Sequence, residues 1–138
     1  MMRHDWTLLC SRVEDPPDRS IDLINVVSAV KVADRYRTMP IDTTIPVDVP
    51  IWLVSQWSAE FETDKKVHSG VLQLMAPGGE RVLEQYKLEL DCRDTVVSRF
   101  MYRIPDIRFV GLGTCEFHFV LDGFADLGEW GRACLRMS

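Results

Sequence analysis

Three histidines, four cysteines, two glycine pairs and a set of acidic turns are the residues of this chain with chemistry to offer. A hydrolytic triad needs a Ser or Cys nucleophile within reach of a histidine that a carboxylate orients, usually on a strained turn such as G-x-S-x-G. The sequence has no such turn. His4 lies near the start, His68 opens an expected strand, and His118 stands between Phe117 and Phe119 on a face that should meet water. Three surface histidines without a catalytic part are expected.

Cys10, Cys92, Cys115 and Cys134 are widely spaced, with no C-x-x-C pair and no histidine at a zinc-like offset. Cys10, Cys92 and Cys115 alternate in phase with apolar neighbours and read as buried thiols of a cytosolic chain. Gly78-Gly79 and Gly111-x-Gly113 lack the helix and lysine that a phosphate-cradling loop requires, so they read as turns. No catalytic, cofactor-binding or metal-ligating residue is expected.

The acidic turns are a subtler case. If successive strands run antiparallel, Glu14-Asp15-Asp18, Glu62-Asp64, Asp91-Asp94 and Asp122-Asp126 all fall at one end of the fold. Carboxylates converging there could hold Ca²⁺ through oxygen ligands. Arg12, Arg19, Lys65, Lys66 and Arg93 share those turns, however, and ordinary surface pairing with them is the plainer expectation.

The elements that must position these residues are strands. Pro50-Ile51-Trp52-Leu53-Val54-Ser55-Gln56-Trp57-Ser58-Ala59-Glu60-Phe61 alternates with period two, with Ile51, Leu53, Trp57, Ala59 and Phe61 on one face and Gln56, Ser58 and Glu60 on the other. It is the expected central strand. Before it come a strand from Trp6 to Ser11, a turn through Pro16-Pro17, and a β-branched run from Ser20 to Val32 with a shift of face near Asn25. A long connection from Asp34 to Pro50 holds an edge strand around Ile41 to Val47.

After the central strand, Val67 to Met75 and the next strand form a hairpin across Ala76-Pro77-Gly78-Gly79-Glu80. In that next strand Val82, Tyr86, Leu88, Leu90 and Cys92 share a face, with Glu84 as the exception. Val96, Phe100, Tyr102 and Ile104 then alternate with Arg99, Met101 and Arg103. Pro105 to Gly113 reads as a second long connection, Cys115, Phe117, Phe119 and Leu121 as one more inner face, and Trp130 to Met137 as the last strand. About eight such strands without an amphipathic helix predict an all-β fold, an antiparallel β-sandwich with Greek-key, jelly-roll or C2-like connections.

The totals agree with one domain over 1–138. The chain has 138 residues, 46% hydrophobic and 27% charged, and a chain of that size buries roughly two-thirds of its unfolded surface. A net charge of -5 argues against a nucleic-acid partner, because counterion release needs clustered cations. No apolar h-region opens the chain and no run is long enough to span a membrane, so a cytoplasmic setting is the default expectation.

Trp6-x-Leu8-x-Cys10, Ser20-Ile21-x-Leu23-Ile24-Asn25-Val26, Pro50-Ile51-x-Leu53-Val54-Ser55-x-Trp57, Pro77-x-Gly79 and Phe117-x-Phe119-x-Leu121 together resemble a family of small, uncharacterised bacterial β-sandwich proteins. The resemblance implies a bacterial, non-enzymatic sandwich that works with a partner encoded nearby, and it carries no catalytic residues. Ile24, Val26 and Val30, with Trp52, Val54, Val97 and Met101, fall out of phase with the main apolar face of their strands. They lie either under the long connections or on a protein-binding face.

The first functional expectation is therefore a non-catalytic interaction module that presents a sheet face or long loops to a protein or to a second copy of itself. The expected face is Trp52, Val54, Val97, Arg99, Met101 and Arg103. A Ca²⁺-dependent ligand or membrane-surface binder is the alternative, and a small hydrolase comes third.

Overall fold

The computed structural model describes residues 2–14, 21–27, 29–30, 32, 43–79, 81–109, 111–125 and 133–137. Among them the strands are β1 (Arg3–Glu14), β2 (Asp22–Val26), β3 (Ala29–Val30), β4 (Thr43–Ser58), β5 (Val67–Met75), β6 (Val82–Asp91), β7 (Val97–Phe109), β8 (Gly113–Leu121), β9 (Phe124–Ala125) and β10 (Ala133–Met137). One sheet has the order β2-β1-β4-β7; the other runs β3-β10-β8-β5-β6, with β9 beside β8. The chain passes repeatedly from one sheet to the other, so most neighbouring strands are not consecutive. This is the all-β sandwich that the alternation predicts. All pairings are antiparallel except the short β3–β10 contact, which is parallel.

The core lies between the sheets. Leu53 and Trp57 of β4 and Leu9 of β1 face Leu72 and Leu74 of β5, Leu88 and Leu90 of β6, Phe117 and Phe119 of β8 and Leu135 of β10, all buried. Trp57 meets the Phe119 ring edge to face, with centroids 5.4 Å apart. Losing so large a buried ring costs about 3–5 kcal/mol, so Trp57 is a principal anchor between the layers. Its β4 neighbours Ile51 and Leu53 are buried in the same phase, as the alternation of the central strand requires.

Several expectations are corrected. The edge strand around Ile41 to Val47 and the central strand are one element, because β4 begins at Thr43. Its ladder with β7 is interrupted: Pro46 pairs with Asp106 and Ile51 with Ile104, so residues 47–50 stand opposite Pro105 alone. Pro46, Pro50 and Pro105 have no N–H to give a ladder, and the irregularity falls where they cluster. For the same reason Pro105 to Gly113 is not a long connection, since β7 continues to Phe109. It pairs with Thr43 to Pro46 and covers neither outer face.

Phe61 lies beyond the end of β4 and is 61% exposed, not part of the inner face. In β6, Leu74 pairs with Glu84 and Met75 with Val82, which leaves Leu83 as a bulged residue. Leu83 is buried and Val82 exposed, the reverse of the expected phase. The β1–β2 register runs through Asn25 without the expected bulge; Asn25 has φ +57, after which the chain leaves β2 for β3 in the other sheet, and Val30 packs against the core. The side chains of Ile24 and Val26, the Pro16-Pro17 turn and Trp130 lie outside the described residues.

Strand direction also revises the acidic end. Ser58 at the end of β4 pairs with Arg3 at the start of β1, so Glu14 sits at the opposite end of the sandwich from the turns at Glu62, Asp91 and Asp122. Those three do meet: Cys92 N–H donates to Lys66 O, Ala59 N–H to Val96 O, and Asp122 N–H to Ser69 O.

Candidate functional site

The histidines are not the surface groups expected. The His4 ring packs edge-on to Trp57 at 4.8 Å and against Phe119 at 5.8 Å. Trp57 Nε1–H donates to Ser55 Oγ at 2.6 Å and the Thr7 hydroxyl donates to the same oxygen at 3.1 Å, so Thr7 Oγ1 receives the His4 Nε2–H at 2.6 Å. That leaves His4 Nδ1 buried with no hydrogen-bond partner among the described residues. Burial holds the ring below the usual histidine range, against the opposing charge of Asp5. Ser55 is fully buried and no carboxylate among the described residues bonds His4, so His4, Thr7, Ser55 and Trp57 form a hydrogen-bonded network within the core.

His68 is buried too. Its Nδ1 pairs with the Asp122 carboxylate and its Nε2 with the Asp64 carbonyl oxygen at 2.6 Å. Each ring nitrogen thus faces an oxygen of the turns it joins. The Asp64 carboxylate in turn accepts the N–H groups of Phe61 and Glu60, at 2.9 and 3.2 Å. Asp64 and Asp122, expected on a solvated acidic rim with cation binding as the alternative, thus hold the 3₁₀ turn at Glu62–Asp64 and the end of β8 together. No group of three or more His, Cys, Asp or Glu side chains among the described residues is placed to hold a metal ion. His118 lies on the outer face as expected, where it bonds Glu116 at 2.8 Å.

The outer face of the four-stranded sheet is different in kind. Its residues stand in three rows across β1, β4 and β7: Trp6, Gln56 and Arg99; Leu8, Val54 and Met101; Cys10, Trp52 and Arg103, with Val97 opposite Ser58. All six residues of the expected partner face therefore share one surface. Leu8 is 39% and Met101 41% exposed, Arg103 is exposed, and Trp6, Trp52, Val97 and Arg99 are half-buried. Val54 is the correction. It is fully buried, being a small side chain on the inner strand β4 among larger neighbours in register, and so reaches no partner directly.

Beside Met101 the surface dips into an open groove of about 710 Å³, lined by Gln56, Asp94, Thr95, Val96, Val97, Arg99 and Met101. A β-bulge sets its polar wall. The β1 register shifts between His4 and Trp6, and Asp5 is the extra residue. Its carboxylate accepts the Ser58 hydroxyl, Gln56 Nε2–H at 3.2 Å and Arg3 Nε–H at 2.9 Å. Gln56 Oε1 then receives Arg99 Nε–H at 3.0 Å, which holds the guanidinium at the groove. Burial pushes the Asp5 carboxyl up, but the Ser58, Arg3 and Gln56 hydrogen bonds and the Arg3 charge outweigh it, so it titrates below the usual range.

The outer surface of the opposite sheet is mostly polar. There Ser69 pairs with Glu89, Gln73 with Gln85 and His118, and Cys134 with Glu116, and among the described residues Val67, Val71, Val82 and Val120 stand between them with the buried Met75. The sequence reading missed Trp6, Leu8, Gln56 and the Asp94–Val96 turn as parts of the apolar surface. The phase of Trp6-x-Leu8-x-Cys10 was visible, but its pairing with β4 was not. No protein-family model matches the chain, and no curated protein is similar to it, so the family resemblance rests on the strand motifs. No helix among the described residues is long and apolar enough to cross a membrane.

Proposed function

We propose that this chain is a non-catalytic protein-interaction module whose four-stranded sheet presents its outer face to a protein partner. The observation that carries the reading is the asymmetry of the two outer faces. Leu8, Trp52, Val97 and Met101 share one surface across three strands and reach solvent, while the described outer surface of the other sheet sets only valines, Val67, Val71, Val82 and Val120, among its solvent-reaching polar side chains. Large apolar groups exposed together, with arginines at the rim, are what a docking surface offers. Scattered single side chains would need no such account.

A passive role for the histidines supports the non-catalytic part. The His4 and His68 rings serve the core and the turn, and the buried Ser55 has no access for a substrate. A cytoplasmic setting accompanies the proposal, since all four cysteines are thiols and none forms a disulfide. The resemblance to bacterial sandwich proteins with a partner encoded nearby points the same way.

The test compares the wild type with Trp52→Glu and Met101→Glu for solution mass and partner capture, after each variant is shown to fold by its far-ultraviolet spectrum. Both variants are expected to lose the partner. Retention by both folded variants would overturn the proposal.

A further inference from the structure

The sheet that carries this face ends in β7, and among the described residues no strand is hydrogen-bonded to its far edge. β7 spans 13 residues; the Thr95 hydroxyl accepts the Val97 N–H and donates to the Val97 C=O, and beyond them an open edge offers N–H and C=O groups able to receive an extended chain. We propose that a partner segment adds to residues 99–104 of β7 as a further strand, with acidic, apolar and acidic residues at alternate positions opposite Arg103, Met101 and Arg99. The proposal rests on the protein-interaction reading and names the partner's chemistry.

Arg99, Met101 and Arg103 are two residues apart and lie on one face of β7. In an added strand the directly opposed side chains stand roughly 5 Å away. Met101 is 41% exposed and needs an apolar cover. Arg103 is exposed and forms no ion pair among the described residues, while Arg99 is aimed by Gln56 beside the groove. The two cations are about 13 Å apart along the strand, the spacing of two carboxylates four residues apart in an extended segment.

The inward side of the edge also favours addition. Phe100 and Tyr102 are half-buried, and Tyr102 meets Tyr86 of β6 with ring centroids 4.3 Å apart at the seam between the sheets. A fifth strand would extend the cover over that seam. Pro105 offers no N–H, which confines pairing to the first half of β7. β6 is the terminal strand of its own sheet, yet its outward residues Gln85, Lys87, Glu89 and Asp91 are all exposed and polar, and only Val82 at its start offers an exposed apolar side chain, so strand addition there would bury less apolar surface.

The probe is a fluorescein-labelled peptide, acetyl-Thr-Glu-Thr-Leu-Thr-Glu-Thr-amide, followed by polarisation. Three controls are the same peptide with Lys for both Glu, and two forms N-methylated on alternate residues, one for each edge. The Glu peptide is expected to bind the wild type at least about tenfold tighter than the Lys peptide. Methylation of one edge abolishes binding and methylation of the other leaves it, because only one edge pairs with β7. Arg103→Glu, with an unchanged far-ultraviolet spectrum, removes the charge preference, since Arg99 and the new carboxylate then oppose each other, and Met101→Thr weakens both peptides equally. Absence of saturable binding, equal effects of the two methylations, or an unaltered preference in Arg103→Glu overturns strand addition. Trp52 lies one strand in from the edge and separates the readings. Partner capture that is lost in Trp52→Glu, while the wild type fails to bind the Glu peptide, leaves docking on the face and removes strand addition; capture untouched by Trp52→Glu and Met101→Glu, with no peptide binding, removes both.

Discussion

Taking up a second proton at His4 would place a charged N–H against the Trp57 and Phe119 rings with nothing to receive it. The folded ring therefore titrates below about 6.5, its value in an unfolded chain. The unfolded state then binds more protons than the native state below about pH 6.5, so stability is complete above that value and declines as the pH falls through it. A thermal-midpoint profile from about pH 8 to 5 is expected to fall toward acid, and His4→Phe is expected to lose part of that fall. An identical slope in the variant would contradict the assignment. Asp5 acts lower on the scale: its carboxyl is depressed, so its contribution is present above the ordinary carboxylate range and disappears as the pH drops through the lowered value. Asp5→Ala strands the Ser58 and Gln56 donors and is expected to cost about 1–3 kcal/mol in urea denaturation. Only part of this was legible in the residues. His68 shares the phase of Leu72 and Leu74, a sign of burial that could have been read. His4 gave no sign, because the bulge at Asp5 reverses its phase relative to Trp6 and Leu8.

At the level of strands, the close approach of β5 and β8 turns on Gly70. A Cβ there would lie 1.9 Å from the Val120 carbonyl oxygen, and main chain cannot swing away as a flexible side chain does. Gly70→Ala is expected to destabilise the fold by about 1–3 kcal/mol in the same denaturation experiment; a neutral result would mean that the β5–β8 register shifts to accept it. Alternation located β5 and β8 well, since Leu72 and Leu74 of β5 and the buried residues of β8 from Cys115 to Leu121 keep one phase, but it stopped β7 at Pro105, beyond which Ile107 is buried in the other phase. It failed at Leu83, and it broke β4 in two at the prolines. A bulge changes the phase by one residue without an obligatory sequence mark, and a proline that interrupts a ladder need not end the strand when the chain on both sides keeps the same neighbour.

For the whole molecule, the thiols report on the integrity of the sandwich. Cys10, Cys92 and Cys115 are buried and Cys134 is exposed. Burial pushes the Cys115 thiol up to about 11 and raises that of Cys92, so the thiolate that reacts is scarce at both. A disulfide reagent at neutral pH is expected to label Cys134 quickly and the others only with global unfolding, and Cys134→Ser should remove the fast phase. Fast labelling of two or more thiols would mean that the layers open. The sequence by itself determined that the chain is a set of half-buried strands stacked in two layers, because period-two patterning is a local property of each segment. It also marked out Trp52, Val97, Arg99, Met101 and Arg103 as facing away from the core. Only the tertiary structure decided that Leu8 and Trp6 join them, that Val54 is covered, and that β7 ends its sheet with no strand beyond it among the described residues. Those facts depend on which distant segments become neighbours and in what register, and a two-residue rhythm holds no information about its partner strand.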